Sequence, residues 1–288
     1  MIESADLRTI WLLGDPVSHS LSPLIQNTAL SELGVQACYL AARVTADDFA
    51  EVLCALPKMG ALGANVTVPH KVRAFQGCDQ VSDRAKKIGA VNTLRFRDGE
   101  VWGDNTDGVG WWRALISRFD VSGIRRALIV GAGGAARAIC VTLLENGIEE
   151  LVILNRTSLR AEKLRADMCA SYGDSVNVKV ESLASFGSNL REGTLVVQTT
   201  SVGLAGEECP VTVPSTWPKN CMLSELLYGR KTSLMKQVSI LGGQVSSGLE
   251  MLCGQAAESL GIWLGRDSSE VPYELMLKAA LAKLDSDL

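Results

Sequence analysis

The N-terminal third of the chain alternates short apolar runs with segments whose apolar residues recur every three or four positions. Short apolar runs bounded by turn residues are typical of buried strands, and the longer periodicity is typical of helices. The predicted elements are strands at 9–13, 38–44 and 64–68, helices at 24–34, 46–59 and 82–88, and a hairpin at 92–102 that turns at Asp98-Gly99. This pattern predicts a complete small α/β domain.

The middle of the chain carries a βαβ pattern at residues 127–157, in which apolar runs at 127–130 and 151–154 flank a helix-length segment. Further predicted elements are a helix at 109–119, strands at 176–180, 194–198 and 221–225, and two helices from about residue 249 onward. Strands that alternate with helices in this way predict a doubly wound parallel sheet. Periodicity does not indicate on which domain the last two helices lie.

The turn between the first strand and the helix of the βαβ unit has the spacing G-x-G-x-x-A. In a dinucleotide-binding turn, Gly131 would make the tight bend, Gly133 would let the backbone approach a pyrophosphate, and Ala136 would allow close helix–sheet packing. The N–H groups and dipole at this end of the helix favour bound phosphate. The alternative is a glycine turn in an ordinary α/β repeat, but the flanking strands favour a nucleotide site.

Composition narrows the classes of function. The 288 residues are 47% hydrophobic and 21% charged, and no apolar run approaches the length of a membrane helix. A net charge of -4 and a pI near 5.4 provide no general basic surface for nucleic acid. We therefore expect a globular protein with no nucleic-acid or membrane partner.

The cysteine and histidine content argues against a metal site. The eight cysteines are scattered without C-x-x-C pairs or zinc spacing, and His19 and His70 are too few for a multi-histidine metal site. The first residues include acidic side chains where an export signal would be basic. We expect reduced thiols, no metal and a cytoplasmic location.

Polar clusters follow several predicted strands, where open α/β sheets place their ligands. In S-H-S-L-S-P, Ser20 and Ser22 are candidates to bind a polyol or a carboxylate; the alternative is a helix N-cap, which needs only one serine. In N-V-T-V-P-H-K, Asn65 and Thr67 alternate along the strand, and Lys71 is expected in the loop that follows. Taken alone, Lys71 has the alternative of a solvated surface lysine.

Two further clusters are G-A-V-N-T at 89–93 and G-D-N-T-D-G-V-G at 103–110. Asp107 is the acidic group of interest in the second cluster, and a turn-forming aspartate is its alternative.

The loop after the second βαβ strand bears on cofactor choice. NAD sites usually place an Asp or Glu about 20 residues after the glycines, on the ribose 2'-hydroxyl. Residues 155–160 instead read N-R-T-S-L-R, so that Arg156 and Arg160, with the hydroxyls of Thr157 and Ser158, suit a 2'-phosphate. The alternative is that both arginines are solvated residues at the start of a helix. The sequence predicts a preference for NADP, with NAD possible.

The motifs together resemble those of the shikimate dehydrogenase family, nearly end to end. They are S-H-S-L-S-P, N-V-T-V-P-H-K, G-A-V-N-T, D-N-T-D-G, G-A-G-G-A-A-R-A, N-R-T, T-T-S-V-G and G-L-E-M-L-C-G-Q-A. The resemblance implies a substrate-binding catalytic domain at 1–106 and 249–288, an NADP-binding Rossmann domain at 107–248, and a cleft between them. It thereby assigns the C-terminal helices to the substrate domain.

The resemblance also implies roles for individual residues. Lys71 and Asp107 would be the catalytic pair, because hydride transfer from an alcohol carbon requires a positioned group for the hydroxyl proton; His70 is expected to face elsewhere. The implied substrate-binding residues are Ser20, Ser22, Asn65, Thr67, Asn92, Tyr228 and Gln255. The implied cofactor-binding residues are Gly131, Gly133, Gly134, Ala135, Ala136, Asn155, Arg156, Thr157, Arg160, Thr200, Val202 and Gly248.

One segment departs from the family pattern. Members commonly show an Asp, two residues and a Tyr, often followed by Asn-Pro, whereas residues 224–232 read S-E-L-L-Y-G-R-K-T, with Glu225 at the acidic position. The serine at 22 resembles shikimate-preferring or dual members more than dedicated quinate enzymes.

The implied function is NADP-dependent reduction of 3-dehydroshikimate to shikimate, in aromatic amino acid biosynthesis. The alternatives are a quinate/shikimate dehydrogenase with NAD or dual cofactor use, and a metabolite sensor that binds the cofactor without turnover. We expect a monomer or a homodimer.

Overall fold

The computed structural model describes residues 7–173, 176–203 and 209–286. They form two compact units: the first runs to Gly110 and resumes at Leu252, and the second lies between Trp111 and Met251. These divisions fall a few residues after the boundaries predicted at 106 and 248. Residues 1–6, on which the expectation about an export signal depends, lie outside the described residues.

The first unit is built on one mixed sheet. Its elements up to residue 104 are β1 (Arg8–Gly14), α1 (Ser22–Glu32), β2 (Ala37–Arg43), α2 (Phe49–Lys58), β3 (Gly63–Val66), α3 (Lys71–Gln76), β4 (Gln80–Val81), α4 (Asp83–Ile88), β5 (Thr93–Arg97) and β6 (Glu100–Asp104). The strand order is β2-β1-β3-β5-β6-β4, with β1 parallel to both neighbours and β5 antiparallel to both of its own. Leu13, Leu53 and Leu94 belong to the buried core that covers this sheet.

The predicted strands, helices and hairpin of the first unit are confirmed, with differences at several boundaries and with two short elements, α3 and β4, that were not predicted. Helix α2 begins at Phe49 rather than at 46, and Thr45 Oγ1 donates to Asp48 Oδ2 at 2.6 Å in a turn ahead of it. Strand β3 ends at Val66, two residues earlier than predicted. Helix α3 was not predicted, because six residues are too few to show a helical period.

The second unit contains one parallel sheet. The remaining elements of the chain are α5 (Asp107–Arg118), β7 (Arg126–Val130), α6 (Gly134–Glu145), β8 (Glu150–Leu154), α7 (Ser158–Tyr172), β9 (Asn177–Glu181), α8 (Phe186–Asn189), β10 (Thr194–Gln198), β11 (Met222–Glu225), α9 (Ser233–Ile240), β12 (Gln244–Ser246), α10 (Leu249–Leu264) and α11 (Tyr273–Ser286). Strands β7 to β12 lie in the order β12-β11-β10-β7-β8-β9, every pair parallel. The predicted doubly wound parallel sheet is therefore confirmed.

The C-terminal helices return to the first unit, as the resemblance implies. Most of α10 and the whole of α11 belong to it, and α11 packs against α1. Among the residues that the structure describes, no helix is long and apolar enough to cross a membrane.

Candidate active site

Lys71 and Asp107 meet in the first unit at the starts of two helices, because Lys71 is the first residue of α3 and Asp107 is the first residue of α5. Lys71 Nζ lies 2.5 Å from Asp107 Oδ2, and the two side chains are 14% and 5% exposed. The solvated surface lysine is thus excluded as an alternative. The prediction that Lys71 lies in a loop is wrong, because α3 begins at this residue. The turn before α3 is closed by His70 N, which donates to Thr67 O at 2.9 Å.

Asp107 is oriented from two further directions. Asn92 Nδ2 donates to its Oδ1 at 2.8 Å, and its own backbone N–H donates to Asn105 Oδ1 at 3.1 Å. The carboxylate also lies at the N-terminus of α5, where the helix dipole favours negative charge. An ammonium group has three donors, and Asp107 is the one hydrogen-bond partner of Lys71 Nζ among the described residues. Lys71 therefore keeps N–H groups available for a ligand while Asp107 stays fixed.

A buried hydrogen-bonded cluster surrounds Asn65 and Asn92. Asn65 Nδ2 donates to Asn92 O and to Ser259 Oγ, both at 3.0 Å, and Tyr39 Oη donates to Asn65 Oδ1 at 2.8 Å. The sequence did not single out four members of the cluster, which are Tyr39, Thr93, Thr106 and Ser259. The two threonines lie inside quoted motifs, which is a signal that could have found them. Tyr39 lies on β2, outside every quoted motif, and Ser259 lies on α10 beyond the motif that ends at residue 256.

Gln255 joins this cluster from α10. Its Oε1 lies 3.4 Å from Asn92 Nδ2, and its Nε2 donates to Leu252 O at 2.9 Å. The backbones of α5 and α10 approach so closely that a Cβ on Gly110 would lie 2.3 Å from Gln255 N. Glycine at 110 therefore allows the helix that begins with Asp107 to lie against the helix that carries Gln255.

Ser20, Ser22 and Thr67 also lie in the first unit. Ser20 Oγ accepts from Ser22 N at 3.2 Å, and Leu21 rather than a serine occupies the N-cap position of α1. Ser22 is 5% exposed, and its hydroxyl makes no hydrogen bond with the described residues. Ser20 thus accepts from an N–H at the start of α1, as one serine does in the N-cap alternative, whereas the Ser22 hydroxyl is available to a ligand. The Thr67 methyl fills the space beside Gly14, where a Cβ would lie 2.2 Å from it.

His70 is turned into the core of the first unit. It is fully buried, its Nε2 lies 2.7 Å from Val44 O, and its ring stacks on Phe49 at 4.6 Å. The prediction that Lys71, and not its neighbour, faces the site is consistent with this placement. In the described part of the chain, no three His, Cys, Asp or Glu side chains cluster closely enough to hold a metal ion.

In the second unit, the glycine turn between β7 and α6 is open on one side. Gly131 has φ +114°, and a Cβ there would lie 2.5 Å from a neighbouring hydroxyl oxygen. A Cβ on Gly133 would meet no atom within 4 Å, whereas Ala136 is fully buried. The N–H groups of a first helical turn, here those around Gly134 and Ala135, lack intrahelical partners and suit a phosphate. This end of α6 therefore fits the pyrophosphate of a dinucleotide.

The end of β8 carries the two arginines of the predicted 2'-phosphate site. Arg156 and Arg160 are exposed, and neither guanidinium makes an ion pair or hydrogen bond with the described residues. Asn155 Nδ2 donates to Thr157 O at 2.8 Å, which fixes the turn, and Thr157 is the N-cap of α7. Two uncompensated positive charges at the start of a helix fit a bound phosphate dianion.

Gln198, which the sequence did not single out, shapes the loop after β10. Thr200 N donates to its Oε1 at 2.7 Å, and its Nε2 donates to Val202 O at 3.3 Å. Gly248 lies against the loop after β11, where a Cβ would be 1.9 Å from Leu226 O. Since these loops follow parallel strands of one sheet, they gather at the carboxyl edge, where such sheets bind nucleotides.

Tyr228 lies half-buried in the second unit, on the loop that follows β11. Glu225 ends β11 and is 1% exposed; Leu227 N donates to its Oε1 at 3.1 Å, and Thr232 Oγ1 donates to its Oε2 at 3.0 Å. Burial raises the pKa of Glu225 to about 7, although these hydrogen bonds act in the opposite direction. The glutamate that departs from the family pattern thus anchors both ends of the Tyr228 loop.

The second unit contains a Rossmann-type sheet with an open glycine turn, and the first unit contains a buried lysine–aspartate pair. Together these features define a two-domain protein of the dinucleotide-binding class. The family profile described as "Shikimate dehydrogenase substrate binding domain" matches residues 12–94, and the profile described as "Shikimate / quinate 5-dehydrogenase" matches residues 116–204. The chain belongs to the shikimate dehydrogenase family.

Relatives match over nearly the full length. A shikimate dehydrogenase (NADP(+)) from Methanopyrus kandleri is 36% identical over 289 residues, which cover 97% of each chain. One from Paracoccus denitrificans is 39% identical over 260 residues, 88% of this chain and 90% of the relative. The crystal structure of a Thermus thermophilus shikimate 5-dehydrogenase in complex with NADP(H) and shikimate has a TM-score of 0.80 and 31% identity, and the match covers 96% of this chain and 99% of that one.

Proposed function

We propose that the protein is an NADP-dependent oxidoreductase that interconverts 3-dehydroshikimate and shikimate. The buried ion pair between Lys71 and Asp107 is the single observation that carries the proposal, because a lysine held in this way can exchange a proton with a substrate hydroxyl. Family membership and the NADP(H) and shikimate held by the Thermus thermophilus relative support the choice of reaction.

Oxidation of a secondary alcohol removes a hydride from carbon and a proton from oxygen. A nicotinamide held by the second unit would accept the hydride in this direction and would supply it in the reverse. Lys71 accepts the hydroxyl proton, while the proton between its Nζ and Asp107 Oδ2 moves toward the carboxylate. In the direction of reduction, Lys71 returns a proton to the oxygen of the new alcohol.

The other site residues are proposed to bind and orient. Ser22, with its unpaired hydroxyl, and Ser20 suit the substrate carboxylate, and Thr67, Asn65, Asn92 and Gln255 lie around the hydroxyl groups of the ring. Tyr228 is proposed to contact the substrate from the second unit. These assignments follow the family motifs, and the partly free Lys71 and Ser22 groups support them.

The second unit is proposed to hold NADP. The open face at Gly133 suits the pyrophosphate, and Arg156 and Arg160 suit the 2'-phosphate. The loop with Thr200 and Val202, together with Gly248, is proposed to contact the nicotinamide half. A cytoplasmic location and a monomeric or dimeric state stay predictions from the sequence.

The test is to mix the protein with NADP and either shikimate or quinate and to follow the absorbance of the reduced nicotinamide. We expect turnover with shikimate and NADP, and lower kcat/KM with quinate or with NAD. Equal use of quinate would favour the dual-substrate alternative. Measured binding of NADP and shikimate without any absorbance change would favour the metabolite sensor and would contradict the proposal.

A further inference from the structure

A buried chain of hydrogen bonds ends on the carboxylate of Asp107, and the orientation of its two amides is fixed by groups that can only donate or only accept. Thr106 N donates to Asn92 Oδ1 at 2.8 Å, so the oxygen of this amide faces away from Asp107 and its nitrogen faces Asp107. Asn65 is fixed in the same way, because its Nδ2 lies 3.0 Å from the carbonyl oxygen of Asn92. The orientation of both amides therefore follows from backbone groups.

The hydroxyl groups between the two amides complete the chain. Thr93 donates to Asn92 Oδ1 at 2.8 Å, because an amide oxygen has no proton to offer. Ser259 Oγ donates to Gln255 O at 2.9 Å, because a carbonyl oxygen only accepts, and a three-centre bond that shares this proton with Thr93 Oγ1 at 2.8 Å supplies the link between the two hydroxyls. Ser259 in turn accepts from Asn65 Nδ2 at 3.0 Å. With the Ser259 proton shared in this way, every link of the chain points toward Asp107.

We propose that this chain is a polarising element of the catalytic site, in which Ser259 and Thr93 are positioning residues that strengthen the hydrogen bond from Asn92 to Asp107. It runs, in order, through Tyr39, Asn65, Ser259, Thr93 and Asn92 to Asp107. The proposal rests on the assignment of Lys71 and Asp107 as the catalytic pair.

Physical chemistry favours polarisation over proton transport. An amide between two hydrogen bonds cannot pass a proton along as a hydroxyl can, so the two asparagines rule out a proton wire from Tyr39 to Asp107. Hydrogen bonds in series do polarise one another, and the effect grows where water is excluded. Thr93 and Ser259 are both fully buried, so the chain works at low dielectric. Asp107 Oδ1 thereby has a strong fixed donor, and Oδ2 is left to Lys71.

Ser259 is fully buried on α10, where its hydroxyl contacts several other segments of the first unit. It lies one helical turn after Gln255 and contacts Asn65 from β3, Thr93 from β5 and Thr106 from the loop before α5. One hydroxyl thus ties four segments of the first unit to each other. An alanine there would leave the Asn65 amide without one of its acceptors and the Thr93 hydroxyl without a donor.

The test compares Ser259→Ala, Thr93→Val and the double variant with the wild type, in the shikimate and NADP assay. We expect each single change to lower kcat about tenfold, with the KM for shikimate and the Kd for NADP within about twofold of the wild type. Because the two residues belong to one chain, the double variant should lose little more than either single variant. Thr93→Ser keeps the hydroxyl, so its kcat should stay near the wild-type value.

The matched control is Ser224→Ala, which removes another buried hydroxyl, one that accepts from Trp111 Nε1 at 2.9 Å in the second unit. We expect it to lower the melting temperature and to leave kcat unchanged. Unaltered kcat in both Ser259→Ala and Thr93→Val, or a loss that tracks the melting temperature across all three variants, would overturn the proposal. Absence of turnover in the wild type would instead contradict the proposed function.

A second measurement does not depend on turnover. In protein labelled with ¹⁵N, a strongly donated hydrogen bond moves the side-chain amide proton of Asn92 downfield. We expect this resonance to shift upfield in Thr93→Val and, by a smaller amount, in Ser259→Ala, and to stay in place in Ser224→Ala. An unchanged Asn92 resonance in both chain variants would show that the chain does not polarise the amide.

Discussion

The two units differ in whether the polar groups of their proposed sites already have hydrogen-bond partners within the protein. In the first unit, the side chains around Asp107 are buried and bonded to one another, so that most donors and acceptors are satisfied within the protein. In the second unit, the groups assigned to the cofactor are open, with bare backbone at Gly133 and unpaired guanidinium groups at Arg156 and Arg160. The first arrangement fixes a reacting geometry, and the second leaves charge and space for a ligand to fill.

This difference follows from what each region must do. A group that takes part in a proton transfer must be held within narrow limits, and neighbouring hydrogen bonds in a buried network supply that restraint. A phosphate carries its own charge and several acceptors, so it is bound best by donors that have no other partner. We therefore expect changes in the first unit to act mainly on kcat, and changes in the open loops of the second unit to act mainly on cofactor affinity.

The largest effect is expected for Lys71→Ala. This change removes the proposed acid/base group and leaves Asp107 buried without its cation, so kcat should fall about a hundredfold or more. The Kd for NADP, measured by fluorescence titration, should stay near the wild-type value. Lys86→Ala is the matched control, because Lys86 forms an exposed ion pair with Asp83 at 3.0 Å in the same unit. Wild-type kcat in Lys71→Ala would remove the catalytic assignment.

Arg156→Ala tests the unpaired groups that the second unit offers to the cofactor. A charge-assisted hydrogen bond contributes about 1.5 to 3 kcal/mol, so kcat/KM with NADP should fall about tenfold to a hundredfold, mainly through KM. The value with NAD should change by about twofold at most, because NAD has no 2'-phosphate. Arg8→Ala, an exposed arginine on β1, serves as the control. Equal kcat/KM for NAD and NADP in the wild type would show that neither arginine holds a 2'-phosphate.

The same contrast explains which parts of the site could be predicted from the sequence. The βαβ unit was predicted because its signals are local: apolar strands, glycines and a helix succeed one another over about thirty residues. The cluster around Asp107 is assembled over long distances in sequence, and 194 residues separate Asn65 from Ser259. No period or spacing in a single chain reports such a contact, so the family motifs pointed to Lys71 and Asp107 but not to Tyr39 or Ser259.

Glu225→Gln addresses the one buried carboxyl of the second unit that departs from the family pattern. Burial raises its pKa from 4.5 in the unfolded chain to about 7. Between these values the folded protein binds more protons than the unfolded chain, so the stability that the neutral form contributes is lost as the pH rises from about 4.5 to about 7. Glutamine stays neutral, so the variant should be more stable than the wild type by about 3 kcal/mol at pH 8 and nearly equal at pH 4.

Thermal or urea unfolding at pH 4, 6 and 8 measures this difference. Glu181→Gln, at an exposed position in the same unit, should follow the wild-type pH dependence. If Glu225→Gln were less stable than the wild type at pH 8, the ionised carboxylate would be a stabilising group and the contrast with the open loops would weaken. A rise in the KM for shikimate in this variant would show in addition that the substitution displaces the Tyr228 loop.

The smallest effect is expected for Ser22→Ala, which tests a second open donor of the first unit, beside the available N–H groups of Lys71. Its hydroxyl has no partner among the described residues, so its removal should cost little stability. A hydroxyl that holds the substrate equally in the ground and transition states contributes uniform binding, so the KM for shikimate should rise about three- to tenfold while kcat stays unchanged. Ser31→Ala, at an exposed position on the same helix, is the control and should leave both constants unchanged. A fall in kcat alone would mean that Ser22 acts in the chemical step, and the first unit would then contain a second reacting group outside the buried cluster.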